Sequence, residues 1–233
     1  MAQPHKLSLP GAAARAALPR MPGHDFIFAN TKLLPVPLVP EIKLHLAEES
    51  LPIWEKTETE LGAINVPPPY WAFAWAGGQA LARYVLDHAS LVAGRQVLDL
   101  GAGSGLAAIA AAKAGAAAVL AAEIDALAGL AIELNARANG VAVTTTEADL
   151  LAGAPPAAEV ILVGDLFYER LLAERVLGLI EAAQARGGLI LVGDPRRGYF
   201  PRHRFRLLAE YQVPVTRELE DAEIKQTAVW ALA

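Results

Sequence analysis

Short apolar runs alternate with longer amphipathic stretches through most of this chain. Gln96–Leu100 is a compact apolar run that breaks into Gly101-Ala102-Gly103-Ser104-Gly105, and an alanine-rich stretch with helical character follows to Lys113. The same unit recurs. Ala117–Ala122 predicts a strand ending at Glu123, Leu127–Asn139 a helix closed by Gly140, and Ala142–Thr146 a strand before Asp149. Val160–Val163 predicts a fourth strand ending at Gly164-Asp165, and Arg170–Ala185 a helix stopped by Gly187-Gly188. Leu189–Val192 predicts a fifth strand, Arg204–Tyr211 a further helix, and Val213–Leu219 with Thr227–Leu232 a closing antiparallel strand pair. Upstream, Gly78–His88 predicts a helix with Leu81, Val85 and Leu86 inward. Ile42, Leu44, Leu46, Leu51, Ile53 and Trp54 predict two short amphipathic helices over residues 40–61, broken near Pro52.

Strands joined by helices require right-handed crossovers and a sheet covered on both faces. The expected fold is therefore α/β: a Rossmann-like doubly wound sheet of seven strands, mostly parallel with an antiparallel C-terminal strand, plus a small helical N-terminal cap. The expected division is a disordered tail at 1–24 and a single domain at 25–233, with the cap at 25–70 and the core at 71–233.

Composition narrows the function. The 233 residues suit one such domain, and the 54% hydrophobic content is largely alanine, which favours helix and buries little area. The longest uncharged stretch, Leu61–Ala82, is interrupted by Pro67, Pro68, Pro69, Gly77, Gly78, Asn65 and Gln79, which argues against a membrane span. The first 23 residues carry Lys6, Arg15 and Arg20 without an acid, but no apolar signal core follows, so a bacterial, cytoplasmic protein is expected. With no cysteine, disulfides, thiolate zinc sites and cysteine nucleophiles are excluded. A net charge of -5 argues against a nucleic-acid partner. The five histidines show no paired ligand spacing, so no metal is expected, and a monomer is.

Ligands of doubly wound sheets bind at the carboxyl ends of the strands, where the chain order reverses. At the first such end, Gly101, Gly103 and Gly105 let backbone approach a ligand and aim amides at a carboxylate, while Asp99 is placed to help hold an ammonium, directly or through water. Glu123, twenty-two residues after Gly101, is placed to accept two ribose hydroxyls, and Asp149 the amino group of adenine. Acids after strands are often solvated loop residues; it is their order that points to a nucleoside bearing an amino-acid tail, S-adenosylmethionine. Gly103-Ser104-Gly105-Leu106-Ala107-Ala108 also satisfies a loose dinucleotide pattern, so a dehydrogenase competes. Neither a general-acid histidine nor a second substrate domain accompanies it.

The fourth strand ends in Asp165-Leu166-Phe167-Tyr168. A carboxylate with two aromatics suits an amine acceptor: Asp165 orients it by charge-assisted hydrogen bonds, and Phe167 and Tyr168 shield it. A carboxylate also favours the non-nucleophilic ammonium, so the proton must leave through water or Tyr168. Phe167 and Tyr168 have the plainer alternative of packing at a helix start. Among Trp71, Phe73 and Trp75, Trp75 is taken as a cofactor contact.

Val97-Leu98-Asp99-Leu100-Gly101-Ala102-Gly103-Ser104-Gly105, Glu123-Ile124-Asp125 and Asp165-Leu166-Phe167-Tyr168 together resemble the seven-strand protein lysine methyltransferases. Phe26-Ile27-Phe28-Ala29-Asn30-Thr31, Pro69–Gln79 and Gly193-Asp194-Pro195-Arg196 resemble, within that group, bacterial methyltransferases acting on the electron transfer flavoprotein β subunit. The resemblance, from about residue 25 onward, implies a protein-lysine N-methyltransferase. It also implies Asp165 and Tyr168 as the acceptor pair, and Gly101, Gly103, Gly105, Glu123 and Asp149 as the cofactor set. Glu123 departs from the aspartate common in the family. The runner-up is another N-methyltransferase, acting on a ribosomal protein or a small amine; a noncatalytic binding protein is a third reading.

Overall fold

The computed structural model describes residues 22–47, 68–153, 157–215 and 222–233. Helix α1 (Pro22–Asn30) opens it and leads into a hairpin of β1 (Lys32–Val36) and β2 (Val39–Leu46). The expected tail thus overlaps α1 by three residues, and residues 1–21 lie outside the described residues. Two side chains close the helix: Asn30 Nδ2 donates to Phe26 O at 2.7 Å and Thr31 Oγ1 to Ile27 O at 2.6 Å.

The hairpin corrects the first of the two helices expected over residues 40–61. Ile42 and Leu44 are fully buried and Leu46 nearly so, whereas Glu41 and Lys43, on either side of Ile42, are exposed; His45, buried as well, departs from the alternation. That is a period of two, the signature of a half-buried strand. Pooling these positions with Leu51, Ile53 and Trp54 hid that alternation; those three, and with them the second expected helix, lie outside the described residues.

The body is a seven-stranded sheet in the order β5-β4-β3-β6-β7-β9-β8. Its strands are β3 (Gln96–Leu100), β4 (Ala118–Ala122), β5 (Thr144–Thr146), β6 (Val160–Gly164), β7 (Leu189–Asp194), β8 (Phe205–Pro214) and β9 (Ile224–Leu232). Strands β3 to β7 pair in parallel, and β9 lies antiparallel between β7 and β8. The chain runs outward from β3 to β5, then returns to place β6 on the other side of β3. That reversal opens the crevice between their carboxyl ends.

Helices α2 (Ala76–Asp87), α3 (Leu106–Lys113) and α4 (Ala126–Ala138) cover one face, and α5 (Arg170–Gln184) covers the other. The alanines of α3 are buried along nearly its whole length, because small side chains let it lie close to the sheet. Asn135 of α4 and Asn139, which caps its C-terminal end, tie the hairpin to this body. Asn139 exchanges hydrogen bonds with the backbone of Lys43, at 3.0 and 2.6 Å. Asn135, fully buried, accepts from His45 N at 2.7 Å and donates to Ser104 O at 2.9 Å, linking β2 to the glycine turn.

The helix expected over Arg204–Tyr211 is strand β8 instead. Its Arg, Leu, Ala and Glu content favours a helix locally. Pairing along the length of β9, which is itself held by β7 and carries buried Val229, Trp230 and Leu232, outweighs that preference. The bulge between Leu207 and Ala209 marks the adjustment. The closing antiparallel pair therefore begins at Phe205 rather than Val213, and residues 216–221 lie outside the described residues.

Candidate active site

A cavity of about 420 Å³ opens at the carboxyl edge between β3, β4 and β6, within the range typical of small-molecule sites. Gly101, Gly103 and Gly105 have φ of 64°, 51° and 77°, a backbone that side-chain-bearing residues rarely adopt. Gly101 and Gly103 line the cavity, and the space beside Gly103 is open. Glu123 also lines it, with Oε2 accepting Gly103 N at 2.9 Å and Oε1 accepting Asp125 N at 3.2 Å. Burial pushes its carboxyl above the usual range, against those amides. A ribose diol reaching Glu123 therefore meets a carboxylate already locked in place.

Asp99 sits elsewhere than expected. It is 2% exposed, does not line the cavity, and its Oδ2 accepts Ala108 N at 2.8 Å. It satisfies an otherwise orphaned amide in the first turn of α3 and so fixes the glycine turn from below. Burial raises its carboxyl to about 7. Of the two routes expected from Asp99 to an ammonium, directly or through water, the direct one is corrected to this supporting role.

Asp149 lines the far end of the cavity. Its Oδ1 caps the turn Leu150–Ala152 through Leu151 N at 3.0 Å, and its Oδ2 pairs with Arg175 at 2.7 Å. The Arg175 hydrogen bond holds its carboxyl below the usual range, so an adenine amino group would share an ionised carboxylate with Arg175.

At the opposite end, Asp165 sits at φ 59°, an uncommon conformation that turns its carboxylate across the strand ends. Its Oδ2 accepts Gly78 N at 2.8 Å, at the start of α2, and its Oδ1 accepts Arg197 Nε at 3.0 Å and Nη2 at 2.6 Å. Helix α2 comes this close because Gly77 abuts Gly193 and Gly78 abuts Gly164, backbone against backbone. Tyr168, Tyr70 and Trp75 line the mouth, with ring centroids 5.9 Å apart for Tyr70–Tyr168 and 5.7 Å for Tyr70–Trp75. Burial raises the Tyr168 phenol above its usual value, so it stays protonated and is no base.

Phe167 is corrected outright. It is fully buried on the α5 face and packs edge-on against Phe200 and Phe205, at 5.2 and 6.0 Å, away from the cavity. The plainer alternative of packing holds for it, whereas Tyr168, 46% exposed, faces the cavity. The structure thus gathers Trp75, Gly101, Gly103, Glu123, Asp149, Asp165 and Tyr168 around one space and leaves Asp99, Gly105 and Phe167 outside its lining. Sequence reasoning missed Tyr70, Arg175 and Arg197. Tyr70 stood inside a quoted motif and Arg197 directly followed another, but nothing in the spacing showed their direction.

Electron transfer flavoprotein β subunit lysine methyltransferases from Danio rerio and Xenopus laevis are each 37% identical to the chain over 213 residues. These matches cover 88% and 89% of the chain and 81% and 85% of the relatives. The chain belongs to this methyltransferase family. A homologue from Caenorhabditis elegans is 33% identical over 81% of the chain and 87% of its own length. The family model described as ribosomal protein L11 methyltransferase (PrmA) matches residues 79–187. Magnesium protoporphyrin IX methyltransferase from Synechocystis, solved with bound S-adenosylmethionine, shares the fold at a TM-score of 0.50 and 16% identity, covering 79% of this chain and 93% of its own.

Membership makes S-adenosylmethionine the methyl donor of this enzyme, and the cavity fits it. The glycine turn brings bare backbone and open space to the cavity wall, Glu123 stands at the end of β4, and the aromatic mouth lies at the far side of the turn. The family relatives are animal proteins, so the expected bacterial source gains nothing from them. Among the described residues no helix is long and apolar enough to cross a membrane.

Proposed function

We propose that this enzyme methylates lysine side chains of the electron transfer flavoprotein β subunit. The activity for which its relatives are named supports the substrate. One observation carries the site: a glycine turn with Glu123 at one end of a single cavity, and Asp165 with Tyr70, Trp75 and Tyr168 at the other.

Glu123, Gly101 and Gly103 hold the donor, with Asp149 and Arg175 beyond. When bound, S-adenosylmethionine supplies an electrophilic methyl group that a nitrogen lone pair displaces in line. Asp165 receives the acceptor nitrogen and aims it, while Tyr70, Trp75 and Tyr168 exclude water and tolerate the cationic product. Because Tyr168 stays a phenol, the acceptor's proton leaves to water. Positioning, rather than acid–base strength, is the protein's contribution.

The test is intact-mass analysis of purified electron transfer flavoprotein incubated with the enzyme and S-adenosylmethionine. Mass gains in methyl steps with wild type and none with Asp165→Ala support the reading. Glu123→Ala should instead lose donor affinity by calorimetry. No mass gain, with donor binding intact, rejects this substrate and turns the search to ribosomal proteins and small amines.

A further inference from the structure

The proposed acceptor carboxylate carries an internal cation. Arg197 places both Nε and Nη2 on Asp165 Oδ1, at 3.0 and 2.6 Å, and its guanidinium carbon lies 5.6 Å from the Trp75 ring centroid. The two side chains are only 18% and 12% exposed, so solvent screens the pair poorly. The turn that presents Arg197 is itself fixed. Asp194, at the end of β7, is fully buried, and its Oδ1 accepts Arg197 N at 2.7 Å across a turn carrying Arg196 at φ 67°.

An amine beside a bare carboxylate is held as the ammonium, which has no lone pair to give. A guanidinium already paired with that carboxylate offsets most of its field. We propose that Arg197 is a positioning residue that balances the charge of Asp165, so the acceptor nitrogen meets a hydrogen-bond acceptor without a net negative charge. This rests on the amine transfer proposed above. The ammonium releases one proton to water, and the freed lone pair forms the new N–C bond. The C–S bond breaks with its electrons going to sulfur, and the positive charge passes from sulfur to nitrogen.

The other groups facing this pair are Asp194 on β7 and Tyr168 before α5, and Tyr168 is in turn faced by Tyr70, Glu169 and Glu123. Burial raises Asp194 to about 7, so the comparison is read on the pH limb above it.

The experiment is the pH profile of kcat/KM for wild type, Arg197→Gln and Arg197→Lys on the flavoprotein. With the charge removed, the rising limb should move up by about one pH unit, about a tenfold loss at a fixed pH on that limb, with the plateau kcat little changed. Arg197→Lys should stay near wild type. Coincident wild-type and Arg197→Gln limbs overturn the proposal.

A second arm needs no transfer: n-butylammonium is titrated by NMR into the S-adenosylhomocysteine complex at neutral pH. Arg197→Gln should bind it about tenfold more tightly than wild type, and Asp165→Asn, which removes the carboxylate beside Arg197, about tenfold more weakly. Unchanged affinity in either variant overturns the proposal, and Asp165→Asn carries the arm alone if Arg197→Gln does not fold. Wild type inactive on the flavoprotein, with tightened amine binding in Arg197→Gln, rejects the substrate reading and leaves this one standing. Active wild type with no change in Arg197→Gln does the reverse.

Discussion

Alanine at Gly77 and alanine at Gly78 should move the protein in opposite directions, although the two glycines are adjacent in α2. A Cβ on Gly77 would press on the carbonyl oxygen of Gly193 and lie 2.6 Å from Asp165 Oδ2 and 2.8 Å from its Cγ. Two of these neighbours are anchored groups, so the helix must retreat by roughly 1 Å, enough to stretch the Gly78 N–H bond to Asp165 beyond a useful length. Overpacking costs about 1–3 kcal/mol, and losing a hydrogen bond to a charged group about 1.5–3 kcal/mol. Since one displacement causes both, roughly 3 kcal/mol is the sensible total, about 6–12 °C in melting temperature for a domain of this size. A Cβ on Gly78 meets only Leu106 Cδ2, at 3.9 Å, so alanine there should stabilise by about 0.4–1 kcal/mol. Thermal unfolding by circular dichroism measures both, with transfer rate and donor affinity in parallel. Gly77→Ala should lose transfer more than donor binding, because the displacement falls at the Asp165 end. A Gly77→Ala protein melting within about 2 °C of wild type, or both variants shifting alike, would refute the close-approach reasoning.

Phe167→Ala should destabilise by about 3–5 kcal/mol in urea unfolding while donor affinity in the surviving fold is unchanged; a selective loss of substrate KM instead would restore the acceptor role assigned from sequence. Asp99 and Asp194 are raised by burial from 3.8 to about 7, so between those values the folded state binds more protons than the unfolded. Their contribution to stability is full below the lower value and is lost as pH rises through about 7, at roughly 1.4 kcal/mol per pH unit for each group. Unfolding free energies of the ligand-free protein across that window should therefore fall less steeply in Asp194→Asn by about one group's share; a slope equal to wild type contradicts the buried, protonated Asp194. Asn135→Ala removes the link between β2 and the glycine turn and should cost about 1–3 kcal/mol while loosening donor binding, measured by calorimetry. A stable variant with unchanged donor affinity would separate the hairpin from the site.

The donor half was legible because its signals are local. A strand, a glycine turn and a helix follow one another within Gln96–Lys113, and glycine adopts φ of 64°, 51° and 77° there at no steric cost. Glu123 and Asp149 each directly follow or closely trail a readable strand, so their placement at the carboxyl edge came with the alternation. The acceptor half was legible only as a cluster. Asp165-Leu166-Phe167-Tyr168 named the right segment, but the bend at Asp165 sends Phe167 into the core and Tyr168 to the cavity, and no periodicity rule covers a left-handed residue.

By itself the sequence determined the alternating α/β order, the glycine turn and the carboxylates at strand ends, because these follow from backbone conformation and apolar spacing within a dozen residues. Residues 205–214 become a strand through a partner distant in sequence, since β9 supplies hydrogen bonds the segment cannot find locally. Long-range packing likewise sets the Asp99 carboxylate against the first turn of α3 and lays Arg197, thirty-two residues away, on Asp165. Those outcomes depend on which surfaces the sheet brings together at its reversal, and long-range contacts of that kind leave no mark in local spacing.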